Sequence, residues 1–439
     1  MILRLDDTDV ERNTQASIDS IFDGLNWLDL SWDEFYRQSD RLDLHRAAAA
    51  AILEQGMAYR DFTPAADPTA EEKAHDGMAW RANPGQREMS KEESDSRAAA
   101  GEAFVVRYRV PRQDGGVVTF KDSVYGEQTK ACEDIEDFAL LRSNGMPTYH
   151  LASCADDADL RISHIIRGQD HLTNTFKHVL IFEALGVAPP QFAHLPLLIA
   201  PDGAKLSKRK HGPVVSVTTY RDAGFLPHSY VNFLCLLGWS PKDNREQLTR
   251  QEIVDIFSFE GINRSNAVVN FTEADPIDPK ALWLNSQHLR SLPVSEILPG
   301  VTAALLAAGL APLSDAAHYA SVVDLIRARY MTLLDFAIKG RPYFSDDFPI
   351  EPPAMEKLEV PGARELLREL AGKLEGDADF SEASVEQHLR ALATERGVKA
   401  GVLINGSRAA LTGQAVGPSA FHLFTAVGRE RSIARLKAV

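Results

Sequence analysis

Apolar and polar positions alternate along this chain in a way that marks its elements in order. The opening run MILRL is a short apolar strand that ends at Asp6. Thr14 then precedes Ile18, Ile21, Phe22, Leu25 and Leu28, apolar residues at helical spacing behind a capping side chain. Ser39 opens a second, alanine-rich helix that stops at Gly56. From about residue 61 to 100 the periodicity breaks down, with Pro64, Pro68, Pro84 and many charges, and an irregular insertion is expected. EAFVVRYRV and VVTF flank Asp114-Gly115-Gly116, which predicts a hairpin.

A strand–helix–strand pattern follows. TYHLAS and RISHIIRG read as strands, and DHLTNTFKHVLIFEALG reads as an amphipathic helix with Gly186 beyond its end. HLPLLIA is the next strand, and it runs into DGAKLSKRKHG. Strands alternating with helices imply a parallel sheet covered by helices, and such sheets bind ligands beyond the carboxyl ends of their strands. From about residue 226 helical periodicity takes over, in PHSYVNFLCLLGW, LTRQEIVDIF, SEILPGVTAALLAAG and YASVVDLIRARYMTLLDFAIKG. A link rich in proline and acid, SDDFPIEPPAMEKLEVPGA, precedes a last helical segment. The expected fold is an interrupted α/β domain followed by a mostly helical half.

Composition narrows the picture. The 439 residues are 44% apolar and 25% charged, which suits a globular protein of several domains. No run of about 18 apolar residues occurs, so no membrane partner is expected. Cys132, Cys154 and Cys235 stand far apart, which points to a reducing, cytoplasmic setting without disulfides or a zinc knuckle. A net charge of −15 argues against indiscriminate nucleic-acid binding and leaves room for local basic tracks. Two exist: Lys205, Lys208, Arg209 and Lys210 in the middle, and Arg429, Arg431, Arg435 and Lys437 near the end.

Four stretches could carry chemistry. Asp6, Asp7 and Asp9 could hold a metal or an ammonium group, or simply form a turn before a helix. Tyr149 and Ser153 share a face; a tyrosine buried against a backbone partner is the plainer account. Arg167 closes an apolar strand where it could grip a carboxylate, or pair with Asp170. The lysine cluster could neutralise a polyphosphate, or be a solvated loop. GxSxG, HExxH, GxxxxGK[ST] and paired CxxC motifs are absent from the sequence, so hydrolytic triads, zinc hydrolysis and P-loop chemistry lack their parts.

In order and spacing, LRLDDTDVERN, YRQSDRLDLHR, FALLRSNGMPTYHLAS, HIIRGQDHLTNT, APDGAKLSKRKHG and RAALTGQAVGP resemble the class I aminoacyl-tRNA synthetases of the bacterial glutamyl type. KLSKR resembles that family's KMSKS signature. The resemblance implies a Rossmann-type catalytic domain with an α+β insertion, followed by all-α connecting and anticodon-binding domains. It implies ATP-dependent activation of L-glutamate and transfer to tRNA(Glu). ATP is then a substrate that brings Mg2+, and no zinc or other protein-bound metal is expected. Lys208 and Lys205 would be the catalytic lysines, and Leu206, Ser207 and Arg209 would join them around ATP. Asp6, Tyr149, Ser153, Arg167 and Gln169 fall at glutamate-pocket positions. Asp6 stands where the family has glutamate, Ser153 where asparagine is frequent, and Gln169 where an acidic residue is usual.

The implied domains are 1–60 and 147–225 for the catalytic part, 61–146 for an insertion that binds the acceptor stem, and 226–285 for a connecting domain. Residues 286–350 and 351–439 would form two anticodon-binding parts. A monomer that binds no DNA is expected. The family's HIGH signature and its strand lie upstream of ILRLDDTD, so the chain as written is expected to lack them and to be poorly soluble and nearly inactive. The competing readings are an impaired, truncated tRNA-binding paralogue and a glutaminyl enzyme. The helical run 286–439 speaks against the β-barrels of the latter.

Overall fold

The computed structural model describes residues 1–8, 14–64, 84–112, 115–272 and 274–439; the side chains of Pro84, Lys208 and Arg209 lie outside that description. The described chain forms two compact units, 1–215 with 234–270, and 216–233 with 271–439.

In the first unit, strand β1 (Ile2–Leu5) pairs in parallel with β2 (Glu34–Arg37). The helix between them, Gln15–Trp27, starts where Thr14 Oγ1 accepts from the Ser17 amide, as the sequence predicts. Helix Leu42–Glu54 buries His45, Ala49 and Ile52, and Gly56, at φ +76°, lets the chain turn back after it.

Strands β3 (Ala58–Asp61), β4 (Val105–Tyr108) and β7 (Ala139–Leu141) form an antiparallel sheet in the order β3-β4-β7. Nearly half of the expected irregular stretch, residues 65–83, lies outside the described residues. Its later part is more regular than the sequence suggested. Lys91–Ala99 is a helix because Ser90 caps it by accepting from Glu93 N at 3.1 Å.

Asp114 of the expected Asp114-Gly115-Gly116 hairpin lies outside the described residues, and the strands on either side of it do not pair with each other. The hairpin partner of β5 (Val117–Asp122) is β6 (Gly126–Ala131) rather than β4. The true turn is built by Asp122, whose Oδ1 accepts from Val124 N and Tyr125 N, and by Gly126 at φ +79°.

The larger sheet has the order β6-β5-β9-β8, with β8 (His164–Gly168) and β9 (Gln191–Leu195) parallel. Strand β5 also joins β9 in parallel, through Asp122 beside Phe192. The sheet is therefore mixed, since β6 turns back antiparallel. TYHLAS is not a strand but the start of helix Tyr149–Asp159, which buries Leu151, Ala152, Ser153, Cys154 and Ala155. Small side chains let this helix sink into the core. A strand and a helix both return residues four apart to one face, so Tyr149 and Ser153 stay together for a different reason.

Helix Leu172–Ala184 is as predicted, with Gly186 at φ +70° after it. HLPLLIA is split by Pro196 into β9 and the short β10 (Leu198–Ile199), which pairs with β11 (Ala267–Val268). Ile52, Val106, Leu140, Leu151, Phe182 and Phe192, all 4% exposed or less, share one core. Each such side chain contributes about 1.5–3 kcal/mol by leaving water.

The second unit has helical cores built on residues such as Val301, Leu305, Leu367, Leu389, Leu403 and Leu436. The predicted helix over YASVVDLIRARYMTLLDFAIKG is two helices, Ala316–Arg327 and Leu334–Ile338. The Asp335 carboxylate, inside the second, reaches back to accept from Met331 N and Thr332 N and so holds the bend that precedes it. The proline-rich link holds a helix, Pro352–Leu358, because its prolines fall in the first turn where no amide is needed. Helix Ala400–Thr412 ends at Gly413, φ +66°, where an added Cβ would stand 2.3 Å from Pro349 O.

Candidate active site

The site assembles at the carboxyl ends of β8, β9 and β1, with the first turn of helix Tyr149–Asp159. Arg167, near the end of β8, is the centre. Its Nη1 donates to Tyr149 Oη at 2.8 Å and to His178 Nδ1 at 3.3 Å. Its Nη2 donates to Thr175 Oγ1 at 2.8 Å and to the His171 carbonyl at 3.4 Å, and its Nε to His194 Nε2 at 3.3 Å. All five N–H groups have acceptors, and none of these acceptors is a carboxylate. The even choice between carboxylate grip and an Asp170 ion pair is thereby decided against the pair: Asp170 binds Lys205 Nζ instead, at 2.5 Å.

Burial among these groups raises the Tyr149 hydroxyl above its ordinary value of 10, with Arg167 opposing. Burial, aided by neighbouring cations, lowers His150 to about 4 and drives His178 well below 6.5. Burial thus holds His150 and His178 away from protonation, and among the described residues no carboxylate is hydrogen-bonded to the Arg167 guanidinium. An anion is what this arrangement lacks.

Asp6 lies beside this centre. Arg4 Nε donates to Asp6 Oδ1 at 2.9 Å, while Arg4 Nη1 reaches Asp157 of the Tyr149–Asp159 helix at 2.5 Å. Asp7 is turned to structural use, accepting from Ser39 N at 2.8 Å and from Ser39 Oγ at 2.7 Å. Asp9 lies outside the described residues. Ser153 is 4% exposed, and its Oγ has no hydrogen-bond partner. Gln169 is engaged at both ends of its amide, accepting from Tyr125 Oη and donating to Asn266 Oδ1 at 2.7 Å. That amide ties the end of β8 to the β5–β6 turn and to residue 266.

The lysine stretch begins as a tight turn rather than an open loop. Gly203 N donates to Ala200 O, Ala200 N to Ala204 O, and Leu206 N to Leu198 O, with Gly203 at φ +81°. Ser207 then starts a helical turn, Lys208–His211, and accepts from Lys210 N and His211 N. Lys205, joined to Asp170, brings this turn next to the Arg167 centre. Lys210 pairs with Asp202 at 3.2 Å. The side chains of Lys208 and Arg209 lie outside the described residues. Among the described residues no group of three His, Cys, Asp or Glu is placed to hold a metal ion. The cavity of about 460 Å³ lined by Arg46, Phe104, Leu141 and Arg142 includes none of these residues.

Sequence reasoning missed Asp122, Thr175, His178 and His194. His171, Thr175 and His178 recur at helical spacing just after Arg167, a signal that was available. Nothing in the sequence links Asp122 or His194 to Arg167.

The other basic track turns inward. Arg435 is 8% exposed and donates to the carbonyls of Leu411, Pro342 and Ser345 and to Asp346. Arg429 donates to carbonyls at the end of helix Ala363–Glu375, including Leu374 and Glu375. Lys437 pairs with Glu375.

An α/β unit with a cation at a strand's carboxyl end, a neighbouring lysine turn and a separate helical unit is the arrangement of a class I aminoacyl-tRNA synthetase. Comparison with known proteins gives the particular family. Residues 1–275 match the catalytic domain of class I tRNA synthetases (E and Q), and residues 301–439 match an anticodon binding domain. A glutamate–tRNA ligase from Solibacter usitatus is 55% identical over 443 residues, covering 99% of this chain and 91% of the relative. One from Koribacter versatilis is 42% identical, covering 100% and 90%. The crystal structure of a glutamate tRNA ligase from Elizabethkingia meningosepticum in complex with its amino acid superposes with a TM-score of 0.84 at 28% identity, covering 100% of this chain and 91% of that one. The chain belongs to the class I tRNA synthetase (E and Q) family.

Proposed function

We infer that this chain is a glutamate–tRNA ligase. Its curated relatives carry that activity along essentially the whole chain, and neither the paralogue nor the glutaminyl alternative is favoured. The observation that carries the chemistry is Arg167, a cation ringed by imidazole, hydroxyl and carbonyl acceptors and hydrogen-bonded to no carboxylate among the described residues. In this reading a glutamate carboxylate supplies the missing charge at Arg167, taking the donor now spent on the His171 carbonyl at 3.4 Å, with Tyr149 and Ser153 alongside and Asp6 near the ammonium. The glutamate α-carboxylate oxygen attacks the α-phosphorus of ATP, pyrophosphate leaves, and glutamyl-adenylate forms. A hydroxyl of the terminal adenosine of tRNA then takes the glutamyl group and AMP leaves. Neither step uses a protein nucleophile, so the protein's part is positioning and the stabilisation of phosphate charge.

Lys205 and Lys208, with Leu206, Ser207 and Arg209, would lie along the triphosphate. Mg2+ would arrive on ATP, held mainly by its phosphates. Residues 61–146 would meet the acceptor stem, while 286–350 and 351–439 would meet the anticodon, in a monomeric cytoplasmic enzyme. The test is exchange of labelled pyrophosphate into ATP by the intact gene product with tRNA present. Exchange that requires glutamate supports the reading, and exchange that requires glutamine instead would refute it. Lys208→Ala should lower the exchange strongly without lowering the melting temperature; a parallel collapse of both would make the lysine structural.

A further inference from the structure

We propose that Asp122 and His194 are positioning residues for glutamate recognition, forming with His178 and His150 a cradle of uncharged imidazoles that fixes the Arg167 guanidinium. The proposal rests on the glutamate reading above and adds residues to its site.

The three-strand register creates the cradle. Arg167 on β8 stands opposite His194 on β9, and Asp122 on β5 stands opposite Phe192 of the same β9. Asp122 and His194 are both essentially inaccessible to water, at 1% and 0% exposed. Arg167 can only donate, so the His194 Nε2 that meets its Nε must accept. The imidazole proton is then on Nδ1, where it is donated to Asp122 Oδ2 at 2.6 Å. On the other side, His178 Nδ1 accepts from Arg167, so its proton sits on Nε2 and is donated to His150 Nδ1 at 3.2 Å. The two histidines touching Arg167 therefore carry opposite tautomers, each set by a second residue behind it.

Asp122 has a further constraint. Its Oδ1 is committed to Val124 N at 2.9 Å and Tyr125 N at 2.8 Å, so only Oδ2 is left for His194. In Asp122→Asn the amide oxygen must stay on those backbone donors, which puts the NH2 group against His194 Nδ1. The histidine proton is driven to Nε2, directly against the Arg167 Nε–H. The guanidinium loses one wall of its cradle while the size of the buried side chain is unchanged.

The experiment has two arms on the full-length enzyme. In the first, imidazole 15N–1H correlation spectra of the unaltered protein should show His194 protonated at Nδ1 and His178 at Nε2. His194 protonated at Nε2 would overturn the proposal whatever the variants do. In the second, Asp122→Asn should raise KM for glutamate by about tenfold, the size of one lost hydrogen bond to a charged group, with KM for ATP unchanged. A folded variant with unchanged KM for glutamate, or with KM for glutamate and ATP rising together, would also overturn it. If the variant does not fold, the spectrum of the unaltered protein decides. Should the unaltered enzyme fail to use glutamate at all, the functional reading falls, and the tautomers still decide the cradle.

Discussion

Ser153 Oγ is buried without a partner, and a buried hydroxyl left unmatched costs about 1–3 kcal/mol. Ser153→Ala should therefore leave the melting temperature unchanged or raise it. A rise in KM for glutamate in that variant would place the hydroxyl on the substrate, and unchanged kinetics would make it a space-filler. The histidines behind Arg167 predict an acid limit. Burial lowers His150 from 6.5 to about 4, so in the unfolded chain it binds a proton at pH values where the folded protein does not. Stability then rises with pH between about 4 and 6.5 and is lost as pH falls through that interval, by up to about 3 kcal/mol for this group. Denaturation at pH 5 and pH 7 measures it, and His150→Gln should flatten the dependence.

Single side chains also decide how whole elements sit. Asp156, 0% exposed, accepts from Gln38 Nε2 at 3.1 Å, Arg41 Nε at 2.8 Å and His45 Nε2 at 2.8 Å, which orients the helix that presents Tyr149 and Ser153. In the second unit the last helix, Arg429–Ala438, is held through Arg435, which also lies over the Phe348 ring at 4.5 Å. Arg435→Ala leaves buried carbonyls without donors and should cost about 3 kcal/mol or more. Lys437→Ala, at an exposed pair, should cost less than about 1 kcal/mol. Calorimetry on the two variants makes the comparison; equal effects would show that Arg435 is not a staple. Elements were legible where a cap and a period agreed, as at Thr14 and in Leu172–Ala184. They were misread where neighbours outside the stretch decide: TYHLAS looks like a strand until the core around it is known, and β5 pairs with β6 through the turn that Asp122 builds.

Across the molecule, a chain of net charge −15 has to bind an RNA polyanion, so its contacts must be local. In the second unit Arg329 Nη2 donates to Gly417 O at 2.8 Å and Arg408 Nη2 to Pro418 O at 3.3 Å. Burial, and after it the neighbouring Arg329, holds the Arg408 guanidinium below its ordinary value. Such a pair suits an RNA phosphate or base edge. Arg329→Ala should raise KM for tRNA severalfold, reduce the salt dependence of tRNA binding by about one ion, and leave KM for glutamate and ATP alone. Unchanged tRNA binding would remove the pair from the interface.

The sequence alone determined the family and the α/β-then-helical order, because those rest on local signals: periodicity, caps and motifs of adjacent residues. It also marked Arg167 and the lysine stretch as cations worth explaining. Only the tertiary structure decided what each cation does. Arg435 became an internal staple, Lys205 a partner of Asp170, and Arg167 a cation hydrogen-bonded to no carboxylate among the described residues. The fate of a charge depends on which groups surround it in space, and strand register brings Asp122, His194 and Arg167 together across 72 and 27 residues of chain.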